Sequence, residues 1–402
     1  MQSVIPIIAG ILGGALFLLA LIPAWIQGWR YTFLERAPKS LVAGTPHPGN
    51  ALRLLGWMLA GSLFIYATAY LAGRGDFYNA LVKADALHYI EIAKNGYTNL
   101  GETRYFLVFF PLFPYAMKAM TYLTGSYLLS AILLNNGFLY GAMWYLYRMG
   151  CRYYGRGTAF RAAKYISLFP LALFFRNPYT ESLFLLLSVA SIYYAMEGKL
   201  PLSGILGLLC ALCRSTGVIL MLPIFMEGIR SWRMGEIPLY QAVLWTLLPL
   251  VGTGAYLYLN YAVAGNPFQF LTYQKEHWYN GFASYPHSLV TTTRHLLQNA
   301  EAALTPFWIT QLVAILLFGG LLATGGRKLH PTHFAYAVAG FYLMLSQTWL
   351  LSGARYLMGL ALPFYILGRW AEKPLVDSAV TLLSVLGLFA ITWLFASGIP
   401  IY

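Results

Sequence analysis

Apolar runs of helical length succeed one another along almost the whole chain, at about 4–27, 51–73, 125–148, 161–175, 179–197, 238–263, 306–324, 332–350, 353–370 and 375–397. A helix of about 20 apolar residues crosses a hydrocarbon core of ~30 Å, and backbone groups in lipid must find their partners within the segment. Hydrophobic residues make up 59% of the chain and charged ones 10%, where soluble domains carry about 25% charged residues. The chain therefore reads as an all-α polytopic membrane protein. No polar block is long enough to fold separately, so residues 1–402 read as one integral membrane domain. The first run is too long for a signal-peptide core and lacks a basic leader, so it reads as a retained span.

Two shorter runs, 201–213 and 217–229, flank Arg214-Ser215-Thr216. Each reaches only about 20 Å as a helix, so they form either one span with a buried arginine or a hairpin with Arg214 at its tip. The positive-inside rule separates the two. With Arg30, Arg36, Lys39 and Arg53 placed in the cytoplasm, the clusters Arg148-Arg152-Arg156-Arg161-Lys164, Lys199, Arg230-Arg233, Arg327-Lys328 and Arg369-Lys373 join them only if 201–229 is a hairpin. Sixteen of the 26 Lys and Arg then lie inside and ten outside. The expectation is about twelve membrane segments, with 1–50 forming an N-terminal span and cytoplasmic loop. The net charge of +13 is read as topology and anionic-lipid contact, not nucleic-acid binding. The absence of an Asn-x-Ser/Thr sequon favours a bacterial membrane.

The outer face receives long loops at 74–124 and 264–306 and short tips at Arg176, Arg214 and Arg355. Phe106 to Leu123 is aromatic and carries Pro111 and Pro114, which predicts a helix lying in the interface. Asp85 is the candidate general base, since a partly desolvated carboxylate can take a proton from an attacking hydroxyl; a helix cap or a pair with Lys83 is the structural alternative. Arg176, Arg214 and Arg355, each flanked by apolar runs, suit a lipid phosphate, with interfacial anchoring as the alternative. Glu181 either pairs with Arg176 or meets substrate. His88 lies one turn from Asp85, and Glu91 and Lys94 read as a solvated face. Tyr179, Gln274 and Trp278 complete a candidate sugar pocket, and Tyr273 and Trp278 also suit interfacial anchoring. Cys210 and Cys213 have no second ligand pair and read as packing residues. No acidic cluster calls for a metal, so no cofactor is expected.

Asp85-Ala-Leu-His-Tyr-Ile-Glu-Ile-Ala-Lys-Asn-Gly-Tyr97 followed by Phe109-Phe110-Pro-Leu-Phe-Pro114 resembles the signature of the PIG-V-like (GPI mannosyltransferase 2) family of the GT-C glycosyltransferases. Asn177-Pro-Tyr-Thr-Glu-Ser-Leu-Phe184, Ala211-Leu-Cys-Arg-Ser-Thr-Gly217 and Arg355-Tyr356 resemble three further blocks in the same order. The chain departs from the pattern at Ala84, where the family has Trp, and at Cys213, where it has Thr. The resemblance implies a GT-C-type bundle and an inverting transfer of a sugar, usually mannose, from a polyprenyl-phosphate donor. It casts Asp85 as base and Arg214, Arg355, Arg176 and Tyr356 around the donor phosphate. A glycolipid, glycan or protein would be the acceptor. The competing readings are a transporter or flippase for lipid-linked sugar and a non-catalytic subunit of a glycosylation complex.

Overall fold

The computed structural model describes residues 4–35, 44–298 and 305–401; Arg36 and Lys39 of the first basic loop lie outside the described residues. The chain opens with α1 (Val4–Trp29) and α2 (Gly49–Ala72), followed by the short α3 (Phe77–Leu81) and α4 (Asp85–Asn95). After α5 (Leu112–Thr124) come the long α6 (Tyr127–Tyr154), α7 (Arg156–Leu168) and α8 (Glu181–Met196). Then follow α9 (Leu200–Cys213), α10 (Met221–Arg233), α11 (Leu239–Ala264), α12 (Gln269–Trp278) and α13 (Tyr285–Gln298). The last are α14 (Thr305–Gly325), α15 (Pro331–Leu345), α16 (Gly353–Met358), α17 (Pro363–Trp370) and α18 (Pro374–Ala396). Among the described residues the only extended pairing is an isolated antiparallel bridge between Phe282 and Gln347.

Among the described residues, five stretches are long and apolar enough to cross a membrane, Val4–Leu34, Pro48–Ala72, Leu239–Ala264, Thr305–Lys328 and Pro374–Ala396, with a sixth if the bent pair Glu102–Val108 and Leu112–Thr124 counts as one span. The other expected segments are more polar, shorter or broken. α6 has the length but carries Asn135 and Asn136 within it. The run expected at 161–175 ends as a helix at Leu168, just before Pro170. The run at 353–370 divides into α16 and α17, the second opening on Pro363. Proline has no N–H to donate and disfavours helix in the residue before it, so the helices break at these points. The single interfacial helix expected over Phe106–Leu123 is likewise two pieces, a 3₁₀ turn over Glu102–Val108 and α5, bent by 108°.

The chain reverses at Arg214. A 3₁₀ turn over Ser215–Leu220 folds back on α9 so closely that a Cβ on Gly217 would lie 2.4 Å from the Cys210 carbonyl oxygen. Deeper in the bundle, Gly207 of α9 faces Ile224 of α10 and Pro249 of α11, so α9 and α10 run antiparallel. Small residues let backbones approach, which in lipid is a main source of helix association because apolar burial no longer drives it. Cys210 and Cys213 are free and buried in this contact, against the carbonyls of Phe184 and Thr180.

Polar ties hold the far end. α8 begins at Glu181 and runs for 16 residues, about 24 Å at 1.5 Å per residue, to Glu197, which pairs with Arg152. Glu227 of α10 accepts hydrogen bonds from Tyr31 at 3.0 Å and from Thr332, and Arg233 donates to the Thr32 carbonyl at 2.8 Å. These ties thus close the end of α8 and α10 that carries Glu197 and Arg233, and Glu181 and Arg214 stand at the opposite ends of α8 and α9.

Candidate active site

α4 starts abruptly. Ala84 sits at φ 47°, ψ −126°, a conformation that side chains rarely adopt and that strains the backbone by about 1–3 kcal/mol. The Ala86 N–H donates to the Lys83 carbonyl at 3.1 Å, closing a tight turn around Ala84-Asp85. The turn is held from outside: the Tyr179 hydroxyl donates to the Lys83 carbonyl at 2.9 Å, and the Asn177 amide to the Leu81 carbonyl at 3.4 Å. Asp85 becomes the first residue of α4, where the helix dipole favours a carboxylate, and it does not pair with Lys83. The segment between α7 and α8 therefore sets the aspartate in place.

That segment is itself fixed by Asn135 of α6. Its amide donates to the carbonyls of Asn177 and Tyr179, the latter at 3.1 Å, and its oxygen accepts from Ser182 at 2.6 Å. Sequence reasoning passed over Asn135; the available signal was an Asn-Asn pair in the middle of an apolar run.

Four charged side chains from four segments meet here. Arg355 Nη2 lies 2.5 Å from Asp85 Oδ2, a contact across 270 residues of sequence. Arg355 Nε and Arg214 Nη1 each lie 3.0 Å from Glu181 Oε1. Glu181 thus joins the two arginines and does not pair with Arg176, the partner considered from sequence. The Asp85 side chain keeps 22% of its surface exposed and Arg214 16%, whereas Glu181 and Arg355 keep 2% and 4%. The carboxylate candidate for proton transfer is the most accessible member, and the Glu181–Arg355 pair forms the floor. Two carboxylates balance two guanidinium groups, which makes burial of the set tolerable.

Aromatic rings frame the cluster. Arg214 lies over Tyr356 at 4.1 Å, and Arg355 over Tyr179 at 4.9 Å. His88, one turn along α4 from Asp85, is packed against Phe106 at 4.4 Å, Phe109 at 4.9 Å and the edge of Trp278 at 6.3 Å. Burial holds its imidazole below the ordinary value, against an opposing pull from Asp85. Trp278 is half-buried on these rings and not a free anchor, and the buried Tyr273 packs on Tyr105. Gln274, on the same α12, is half-buried, and its carbonyl accepts from the Asn280 N–H at 3.2 Å. Glu91 accepts from Asn95 and Lys94 is exposed.

Arg176 stands apart from the group it was expected to join. Fully buried, it donates to Ser62 at 2.9 Å, Ser167 at 2.9 Å, the Ala172 carbonyl at 3.0 Å and the Met58 carbonyl at 3.3 Å. These partners belong to α2, α7 and the turn after it, so the guanidinium ties helices together.

Residues 65–232 match the family model described as Mannosyltransferase (PIG-V). No curated protein matches the chain. The matched stretch carries Asp85, Tyr179, Glu181 and Arg214, and stops short of Arg355. With several long apolar helices in the same chain, the match supports a PIG-V-like, membrane-embedded glycosyltransferase that acts with mannose.

Proposed function

We propose that the chain is an inverting glycosyltransferase of the GT-C type, moving mannose from a polyprenyl-phosphate donor to a hydroxyl of a glycolipid, glycan or protein on the outer face of the membrane. The observation that carries this reading is the ion-paired set Asp85–Arg355–Glu181–Arg214. Asp85 takes the proton of the acceptor hydroxyl as its oxygen forms the new bond to the anomeric carbon. The bond from that carbon to the phosphate oxygen breaks, and the polyprenyl phosphate leaves with the electron pair. Arg355 and Arg214 stabilise the charge growing on the leaving phosphate. Glu181 keeps both guanidinium groups in place through the step, and His88 and Trp278 line the sugar's position. The count of Lys and Arg in the loops, with the clusters Arg148 to Lys164, Arg230-Arg233, Arg327-Lys328 and Arg369-Lys373 on the cytoplasmic side, supports an outer-face location.

A carboxylate locked to a guanidinium is a weak base. The arriving phosphate resolves this by drawing on Arg355, whose Nη1 is buried without a hydrogen-bond partner. Arg355 then exchanges carboxylate for phosphate, and Asp85 is released to accept a proton. The test is transfer from polyprenyl-phosphate mannose to an octyl mannoside by purified wild type and Asp85→Asn. The expected loss is about 10²–10⁴-fold, the usual contribution of a positioned base, in protein that still unfolds cooperatively at a lower temperature because Arg355 loses one buried partner. Full activity in that variant would remove Asp85 from the chemistry.

A further inference from the structure

A cavity of about 190 Å³ opens where α6, α14 and α17 end together, away from the charged cluster. Gln311 of α14 accepts from the Ala354 N–H at 2.7 Å, beside Arg355. Gly325, on the cavity wall, lies about 21 Å farther along the same helix at 1.5 Å per residue. The stretch Thr305–Lys328 is itself long and apolar enough to cross a membrane. The charged cluster and the cavity therefore adjoin opposite ends of one span. The loops at the cavity end, Arg327-Lys328 and Arg369-Lys373, are those that charge counting assigns to the cytoplasm.

Several basic residues around this end are already engaged. Arg152 pairs with Glu197, and Lys164 with Asp377 at 2.5 Å. Arg161 and Arg156 donate to the carbonyls of Gly368 and Thr45 at 2.8 Å and 2.6 Å. Lys328 and Arg369 differ: both are exposed at the mouth of the cavity, and among the described residues neither side chain has an ion pair or a hydrogen bond. One carboxylate, Glu372, shares the rim, so the mouth keeps a net positive charge. The inner wall offers an anion little. The Tyr154 hydroxyl is taken up by His333 at 2.6 Å and the His330 N–H at 2.9 Å, and Tyr365 donates to the Leu146 carbonyl at 2.5 Å. Charge at the mouth and an apolar wall behind it describe an amphiphile's headgroup, not a small ion.

We propose that this cavity takes the headgroup of an anionic phospholipid of the cytoplasmic leaflet, with Lys328 and Arg369 on its phosphate. A basic pocket between helices at that interface suits such a headgroup, and the Arg369 guanidinium can meet two phosphate oxygens at once. The neighbouring surface favours a lipid over a soluble phosphate. On α14, Ile309, Val313 and Leu316 are exposed, and the same helical spacing continues through Thr324 to Lys328. Acyl chains leaving a headgroup at Lys328 have this apolar stripe to lie against. Trp370, exposed on the cavity rim, suits the headgroup level, where interfacial tryptophans collect. This site lies at the other end of the span from the transfer chemistry and does not depend on it.

The test is native mass spectrometry of the purified chain in detergent, titrated with dioleoyl phosphatidylglycerol or dioleoyl phosphatidylcholine. Wild type is expected to bind one phosphatidylglycerol more tightly than phosphatidylcholine. Lys328→Gln combined with Arg369→Gln should weaken that binding about 30-fold, since each cation near anionic lipid is worth about fivefold. Arg327→Gln combined with Lys373→Gln removes the same charge from exposed neighbours outside the cavity and should leave the affinity near wild type. An equal fall in both double variants would reduce the effect to general surface charge and overturn the site. Equal affinity of wild type for the two lipids would overturn it as well. Glycerol 3-phosphate, a headgroup phosphate without acyl chains, is the third titrant. If it binds as tightly as phosphatidylglycerol, the ligand is a soluble phosphate and the lipid assignment fails.

Discussion

Arg176 and Arg355 begin alike. Each stands beside apolar runs, each is almost wholly buried, and from sequence each suits a lipid phosphate. The structure divides them by what their donors do. Every nitrogen of Arg176 donates to a neutral oxygen of α2, α7 or the turn between α7 and α8. Arg355 instead faces two carboxylates and retains a buried Nη1 with no hydrogen-bond partner. A buried arginine is expensive in a membrane, but cost alone does not mark function. Unspent hydrogen-bonding capacity beside an exchangeable anion does.

The sharpest way to break this contrast is the same substitution at both positions. Arg355→Met is expected to lower transfer by about 10²–10³-fold, as when a donor to developing charge is lost, and to raise the donor KM. Arg176→Met should leave the donor KM near wild type and instead cost about 3 kcal/mol of stability, because two serines and two carbonyls lose a charged donor. Steady-state kinetics and thermal unfolding in detergent check both. A matching rise in donor KM for the two variants would collapse the distinction. Arg214→Lys keeps charge but loses the planar fork, and a fall in kcat/KM of about tenfold is expected, smaller than for Arg355 because Arg214 is more exposed.

Two smaller effects sharpen the picture of the aspartate turn. Ala84→Gly should stabilise the protein by about 1 kcal/mol, since glycine adopts a positive φ without strain at some cost in chain entropy. An unchanged or lower melting temperature would mean that the turn is not strained. His88 is held below its ordinary 6.5 by burial, so the unfolded chain binds its proton more readily. Stability is then fully present above pH 6.5 and declines as pH falls below it. His88→Gln should flatten that slope, which a melting series between pH 7 and pH 5 reads directly.

Much of this was legible in the chain, for identifiable reasons. Long apolar helices announce themselves by composition, and the reversal at Arg214 follows from charge counting, because length and loop sign are local properties. Asp85, Glu181, Arg214 and Arg355 stood out as charges among apolar neighbours. Their pairing did not, since Glu181 lies five residues from Arg176 in sequence, yet its carboxylate meets Arg214 and Arg355. Asn135 escaped for the opposite reason. An uncharged amide in the middle of an apolar run looks like packing until its hydrogen bonds to Asn177, Tyr179 and Ser182 are seen in three dimensions. Of the twelve or so segments expected, five or six reach spanning length among the described residues, and at Pro170 and Pro363 expected spans are divided into shorter helices.

The grip on the aspartate turn has a consequence for how this sequence can vary. Tyr179 and Asn177 take hold of the carbonyls of Lys83 and Leu81, atoms that every amino acid possesses. What they grip is the peptide path, so this contact does not itself select the side chains along it, and at 84 the positive φ is the remaining constraint. An alanine can therefore occupy position 84, where the resembling family carries tryptophan, without loosening the carboxylate beside it. Tolerance at 83 and intolerance at 177 and 179 are two faces of one main-chain contact, while 84 favours glycine and small residues, and a saturation library over these four positions would display them side by side.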